Sequence, residues 1–114
     1  MKNPKEKGEF GSILVVNKAA ALNNMGRYSE AIKSLEEVKV QCDKVHKNLG
    51  DAYYNIEMLD KAIYHYEKAI KLNAKLDEAY FNLAVILYRQ GSHFNAKMNI
   101  EKAISLNSND TAYI

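Results

Sequence analysis

Proline and glycine are scarce in this chain: one proline and five glycines in 114 residues. That excludes a collagen-like or low-complexity chain and leaves little punctuation for a fold of many short strands. Cysteine occurs once, at Cys42, so no intrachain disulfide can form, which suits a reducing compartment. Long hydrophobic runs are missing. The longest, SILVV and LAVILY, fall far below the ~20 residues of a membrane-spanning helix, so no membrane insertion is expected. The N-terminal MKNPKEKGEF carries charges without an apolar centre and does not read as a secretory signal. These features set the expected location as cytoplasmic. Asn109-Asp110-Thr111 spells a glycosylation sequon, which without a secretory route is read as chance. An excess of one charge is also absent. The formal net charge is +2 with the signs interspersed, so no field draws in nucleic acid or an anionic membrane.

What is present is Ala, Leu, Lys, Glu and Ile, and these recur. EKAIKLN at 67–73 returns as EKAISLN at 101–107, so Glu67 and Glu101 stand at an offset of 34. At the same offset Asn48 aligns with Asn82, Leu49 with Leu83, Tyr54 with Tyr88, Ala62 with Ala96 and Leu72 with Leu106. A fixed period of this size marks a repeat architecture. Within a unit the apolar residues are spaced by three and four: Ala62, Tyr66, Ala69 and Ile70 share one helix face, and Tyr80, Leu83, Ala84 and Leu87 another. Each unit therefore reads as two short amphipathic helices. The internal break falls at RQGS in the third unit, where Gly91 closes a helix, and at IEMLD in the second, with Asp60 as N-cap. A fainter unit precedes them, in SILVVNKAAALNN and GRYSEAIKSLEEV. Residues 1–9 read as a flexible tail. The units span about 12–42, 43–76 and 77–110, and TAYI begins a further helix.

A helix–turn–helix repeat of this period, with these slots, resembles the tetratricopeptide repeat (TPR). The family's first-helix signature falls on His46, Leu49-Gly50 and Tyr53, then on Tyr80, Leu83-Ala84 and Leu87. Its second-helix signature falls on Ala62, Tyr66 and Ala69, then on Ala96, Ile100 and Ala103. In the first unit Gly26, Tyr28, Ala31, Leu35 and Val38 fit. The resemblance implies an all-α, right-handed α-solenoid of about six helices. Small residues at Gly50, Ala84, Ala62 and Ala96 let helix axes approach closely. The proline that usually closes each repeat is replaced by Ala74 and Ser108.

One seam reads two ways. From Ala31 to Ala62 the offset is 31, not 34. The stripe Ala31, Leu35, Val38, Cys42, Val45, Leu49, Ala52, Ile56, Leu59 runs on without proline, in the alternating steps of a heptad. Either a tight turn lies near Cys42-Asp43 with Asp43 as N-cap, or one helix runs from near Ser29 to near Glu57 and favours a swapped dimer.

No glycine-rich phosphate loop, nucleophile elbow or paired-carboxylate motif occurs. His46, His65 and His93 lie at no metal-ligand spacing. His46 and His93 occupy slots the repeat fills with aromatics, and His65 falls among surface positions. Cys42 reads as a buried, inert thiol. No enzyme activity, cofactor or metal is expected.

The resemblance does imply a binding face. The first helices of a TPR solenoid line its concave side. That places Asn17, Lys47, Asn48, Asp51, Tyr54, Asn55, Phe81, Asn82, Tyr88 and Arg89 there as candidate peptide-binding residues, beside Glu78 and Val85. Asn48 and Asn82, with Asn17, form a ladder able to pair with the backbone of an extended peptide. The other reading is that these amides bond locally between helices. Tyr54, Tyr88 and Phe81 add aromatic contact area. The carboxylate clamp of chaperone-binding TPR domains is matched only at Asn48. Its other slots hold Val16, Ala20, Glu78 and Asn82, which argues against acidic chaperone tails. The expected function is a non-catalytic interaction module whose partner is another protein, held as an extended peptide or a helix in the groove. The alternative is self-association, or part of a longer TPR array.

Overall fold

The computed structural model describes residues 4–107, with side chains from residue 11 onward. Six helices follow one another: α1 (Pro4–Asn24), α2 (Tyr28–Glu36), α3 (Asp43–Asn55), α4 (Leu59–Leu72), α5 (Asp77–Arg89) and α6 (His93–Leu106). No strand occurs among the described residues. The helices pair as α1–α2, α3–α4 and α5–α6, and the pairs stack into an α-solenoid. The stretch 1–9, expected as a flexible tail, is helical from Pro4 on. A proline in a helix's first position gives up no bond, because that N–H has no intrahelical acceptor. Residues 1–3 and the terminal TAYI lie outside the described residues.

The turn inside each unit is the same device three times. Gly26, Glu57 and Gly91 each take a positive φ of 79°, 64° and 85°. One residue on, the N–H of Arg27, Met58 and Ser92 bonds the carbonyl of Leu22, Tyr53 and Leu87 at 2.8–2.9 Å. This is the Schellman closure of a helix C-terminus. It confirms Gly91 as a terminator. The second unit's break falls within 56–60 as expected, but the N-cap of α4 is Met58 and not Asp60, which lies in the first turn. Glutamate in the left-handed region is a local strain that glycine avoids at the other two turns.

The long-helix reading of the seam is overturned. α2 stops at Glu36, residues 37–42 are not helical, and α3 starts at Asp43. The N-cap is Cys42, in extended conformation, with Asp43 the first helical residue rather than the cap. Folding back is favoured because the heptad stripe then buries itself. Ala31, Leu35, Val45, Leu49 and Ala52 all enter one core, where an unbroken helix would leave them in water. Asp43 accepts from Asn73 Nδ2 at 2.9 Å, tying the start of the second unit to its end.

The contiguous core runs through α1 to α5 and includes Leu22, Tyr53, Tyr66, Leu76, Leu83 and Ile86. Close approach has a concrete test at Gly50. A Cβ there would lie 2.7 Å from the Tyr66 ring. In the next unit the pair is Ala84 and Ile100, a larger residue facing a smaller one.

Candidate functional site

The three turn residues set the register of the first helices. Gly26 to Glu57 is an offset of 31, which relates α1 to α3; Glu57 to Gly91 is an offset of 34, which relates α3 to α5. Six positions per helix then fall on the inner face. In α1 they are Ile13, Val16, Asn17, Ala20, Asn23 and Asn24. In α3 they are Lys44, Lys47, Asn48, Asp51, Tyr54 and Asn55. In α5 they are Glu78, Phe81, Asn82, Val85, Tyr88 and Arg89. Two hollows open on this face. A polar one of about 430 Å³ spans the helices' C-terminal halves and is walled by Asn23, Asn24, Tyr28, Asp51, Tyr54, Asn55, Tyr66, Asn82 and Val85. A mainly apolar one of about 510 Å³ lies between α1 and α3, walled by Ile13, Val16, Ala20, Val40 and Cys42 with Asn17, Lys44, Lys47 and Asn48.

The apolar hollow follows from the shortened unit. α2 has 9 residues where α4 has 14. The chain from Val38 to Cys42 therefore returns across α1, with Ser12 Oγ donating to the Val40 carbonyl at 3.5 Å. Cys42 is half-buried there, more open than the buried thiol expected.

The polar hollow is built around Asp51. Its Oδ1 accepts from Tyr66 Oη of α4 and from Asn82 Nδ2 of α5 at 3.1 Å. Its Oδ2 meets Lys47 Nζ at 2.9 Å, and Lys47 also reaches Glu78 at 3.0 Å. Burial works against the Lys47 ammonium, but Asp51 and Glu78 outweigh it and hold its pKa above the ordinary value. Burial, then the Asp51 charge, pushes the Tyr66 phenol well up. Asp51 thus ties three helices together.

The ten candidate residues divide accordingly. Asp51, Tyr54, Asn55 and Asn82 meet in the polar hollow, and Asn17, Lys47 and Asn48 in the apolar one. Tyr88 and Arg89 lie at the far end of α5, facing α6. Phe81 is half-buried. The asparagines bond locally: Asn48 Nδ2 donates to the Lys44 carbonyl at 2.9 Å, Asn55 Nδ2 to that of Asp51 at 2.7 Å, and Asn82 to Asp51. Arg89 pairs with Glu57 at 3.0 Å and stacks over Tyr54 at 5.3 Å. Asn23 and Asn24 escaped the sequence reading. They are the first-unit counterparts of Tyr54 and Asn55, a signal readable once the shorter offset of the first unit is applied to its first helix. Asn23 Nδ2 donates to the Asn48 carbonyl at 3.2 Å, while its Oδ1 is buried without a partner.

Two of the three histidines differ from the sequence reading. His93, expected to pack, is exposed and stacks on Tyr88 at 4.6 Å, whereas His46 packs as its aromatic slot implies. His46 is buried and His65, expected on the surface, is half-buried; their Nδ1 atoms are 3.0 Å apart. His65 stacks on Tyr53, whose hydroxyl donates to Glu36 at 2.8 Å. Burial, with Lys68 adding, lowers the His46 pKa; burial, then His46, takes His65 down to about 4. Among the described residues no three histidine, cysteine, aspartate or glutamate side chains gather as a metal donor set.

The tetratricopeptide-repeat family pattern matches residues 14–39 and 77–110, more than half of the chain, and a TPR-repeat pattern matches 50–91. The chain belongs to the tetratricopeptide repeat family. TPR units are protein–protein interaction modules. The TPR repeat-containing protein MJ1428 of Methanocaldococcus jannaschii is 31% identical over 104 residues, 76% of this chain and 18% of that protein. The chain thus spans under a fifth of that relative's length. The crystal structure of MamA is similar at 26% identity and a TM-score of 0.76, over 82% of this chain and 57% of that one. The first TPR domain of human RPAP3 shares the fold at 19% identity and a TM-score of 0.82, over 90% and 83% of the two chains. No helix among the described residues is long and apolar enough to cross a membrane.

Proposed function

We propose that this TPR domain holds a peptide segment of another protein along the inner face of its first helices, without catalysis. The observation that carries this is the pair of hollows side by side on one face, apolar between α1 and α3 and polar across α1, α3 and α5. The apolar hollow suits one bulky aliphatic or aromatic side chain. The polar one offers exposed Asn24 and Asn55 and half-buried Tyr54 to main-chain amides. The asparagine ladder takes a smaller part, since the Asn48 and Asn82 amides are committed within the fold. The clamp slots hold no lysine or arginine, and Lys47 beside Asn48 is neutralised by Asp51 and Glu78, which disfavours an acidic C-terminal tail.

The experiment is a displayed random-peptide selection against the domain, followed by calorimetry. Enriched peptides should share one large apolar residue. Ala20→Glu, which puts a charge into the apolar hollow, should weaken them at least tenfold with the helical spectrum unchanged. Enriched peptides that ignore Ala20→Glu and Tyr54→Ala alike would refute the groove. A peptide ending SRMEEVD, the HSP90 peptide bound by an RPAP3 TPR domain, should show no saturable binding.

A further inference from the structure

The third unit ends the described molecule on a surface that the repeat itself identifies as a seat. At the offset of 34, Gly50, Tyr54, Leu59, Ala62 and Tyr66 correspond to Ala84, Tyr88, His93, Ala96 and Ile100. α5 covers the first set, and Tyr66 is only 2% exposed. Over the second set a hollow of about 440 Å³ opens instead. Tyr88 is 65% exposed, with exposed His93 stacked on it at 4.6 Å. α6 buries only two small side chains, Ala96 and Ala103. The seat has the shape and apolar character of one that takes the first helix of a unit.

The opposite end shows which helix is available. α3 buries Val45, Leu49 and Ala52 almost completely. Their counterparts in α1, at the offset of 31, are Leu14, Lys18 and Ala21, and all three are exposed. Among the three first helices only α1 leaves this face uncovered in the described residues.

We propose that the seat on α5 and α6 takes α1 of a second copy, so that copies stack head to tail as α5 stacks on α3 and α4. The contact is heterologous. Each added copy leaves one seat and one α1 unfilled, and growth does not stop at two. Lys18 stands where the internal joint has Leu49. Its stem lies along the apolar strip with the ammonium at the rim, so the joint is weaker than the internal ones and fills as concentration rises.

Sedimentation velocity on the full chain, from low micromolar to near-millimolar, tests this. The mass should rise continuously above the monomer. Leu14→Glu blocks the α1 face and Tyr88→Glu blocks the seat, both at exposed positions that leave the fold intact by circular dichroism. Each variant alone should stay monomeric. Their equimolar mixture should give a heterodimer and nothing larger, because one intact α1 face and one intact seat remain. Lys18→Leu should move association to at least tenfold lower concentration. A native chain that is monomeric throughout would overturn the proposal. So would a Leu14→Glu chain that still associates by itself, since the seat would then be filled by something other than α1.

Discussion

At the scale of single residues, the fold is most sensitive where a side chain is missing. Gly50 has no room for even one carbon against Tyr66. Gly50→Ala should cost about 1–3 kcal/mol, the ordinary penalty of overpacking, read as a lower urea midpoint at unchanged slope. Glu57 is the opposite case. It holds a left-handed conformation that glycine holds at the two equivalent turns, and its exposed pairing with Arg89 offsets little of that. Glu57→Gly should stabilise the domain by about 0.5–1 kcal/mol. The histidine pair gives a pH signature. Both folded pKa values lie below the unfolded one, with His65 near 4. The unfolded chain therefore binds more protons between about pH 4 and 6.5, and stability rises with pH across that window. Urea midpoints measured from pH 4 to 7 should climb and then level off. His65→Phe, which keeps the stack on Tyr53, should flatten much of the climb.

At the scale of elements, the period of 34 and the three-and-four spacing made the helices and their pairing legible without coordinates. What stayed hidden was the joint between the first two units. The stripe from Ala31 to Leu59 satisfies a continuous helix and a folded-back pair equally, because a heptad pattern fixes which face is apolar and not which partner covers it. Glu57 misled for a related reason: glycine marks this turn in the other two units, and a non-glycine residue in that conformation leaves no trace in sequence. Which residues of α3 and α5 lie on the inner face was legible by register. In α1 the register was right at Asn17, but it was not extended to the end of the helix, where Asn23 and Asn24 stand. Of the polar wiring, only the local bonding of the asparagines was readable, as one of two alternatives. Asp51 was placed on the groove as a contact residue, whereas its oxygens are taken by Lys47, Tyr66 and Asn82. Asp51→Ala removes the acceptor shared by α3, α4 and α5 and leaves three donors poorly satisfied, a loss of about 2–4 kcal/mol. Asn82→Ala removes one donor only and should cost less. A denaturation series on the two variants checks that order.

At the scale of the whole molecule, the described residues form an elongated body, 51 × 28 × 22 Å. In such a stack each unit is steadied by its neighbours, so stability is unevenly distributed along the array. α3 and α4 lie in the middle, while α6 buries only two small side chains. Hydrogen exchange should find the amides of α6 opening well before those of α3 and α4. Near-millimolar protein should slow α6 selectively if its seat is filled by a second copy. Uniform exchange across the six helices would mean that the units are not energetically distinct.

The brevity of α2 has one more consequence. The chain crosses over α1 only in the first unit, so the apolar hollow exists at one end of the inner face and the polar hollow beyond it. The face therefore has a head and a tail. In the proposed binding mode, a guest seated by its bulky residue in the apolar hollow extends from there toward α5. In that mode the position of the bulky residue along the guest sets which part of a larger protein lies over α5, so the domain would fix where its partner sits relative to its two ends.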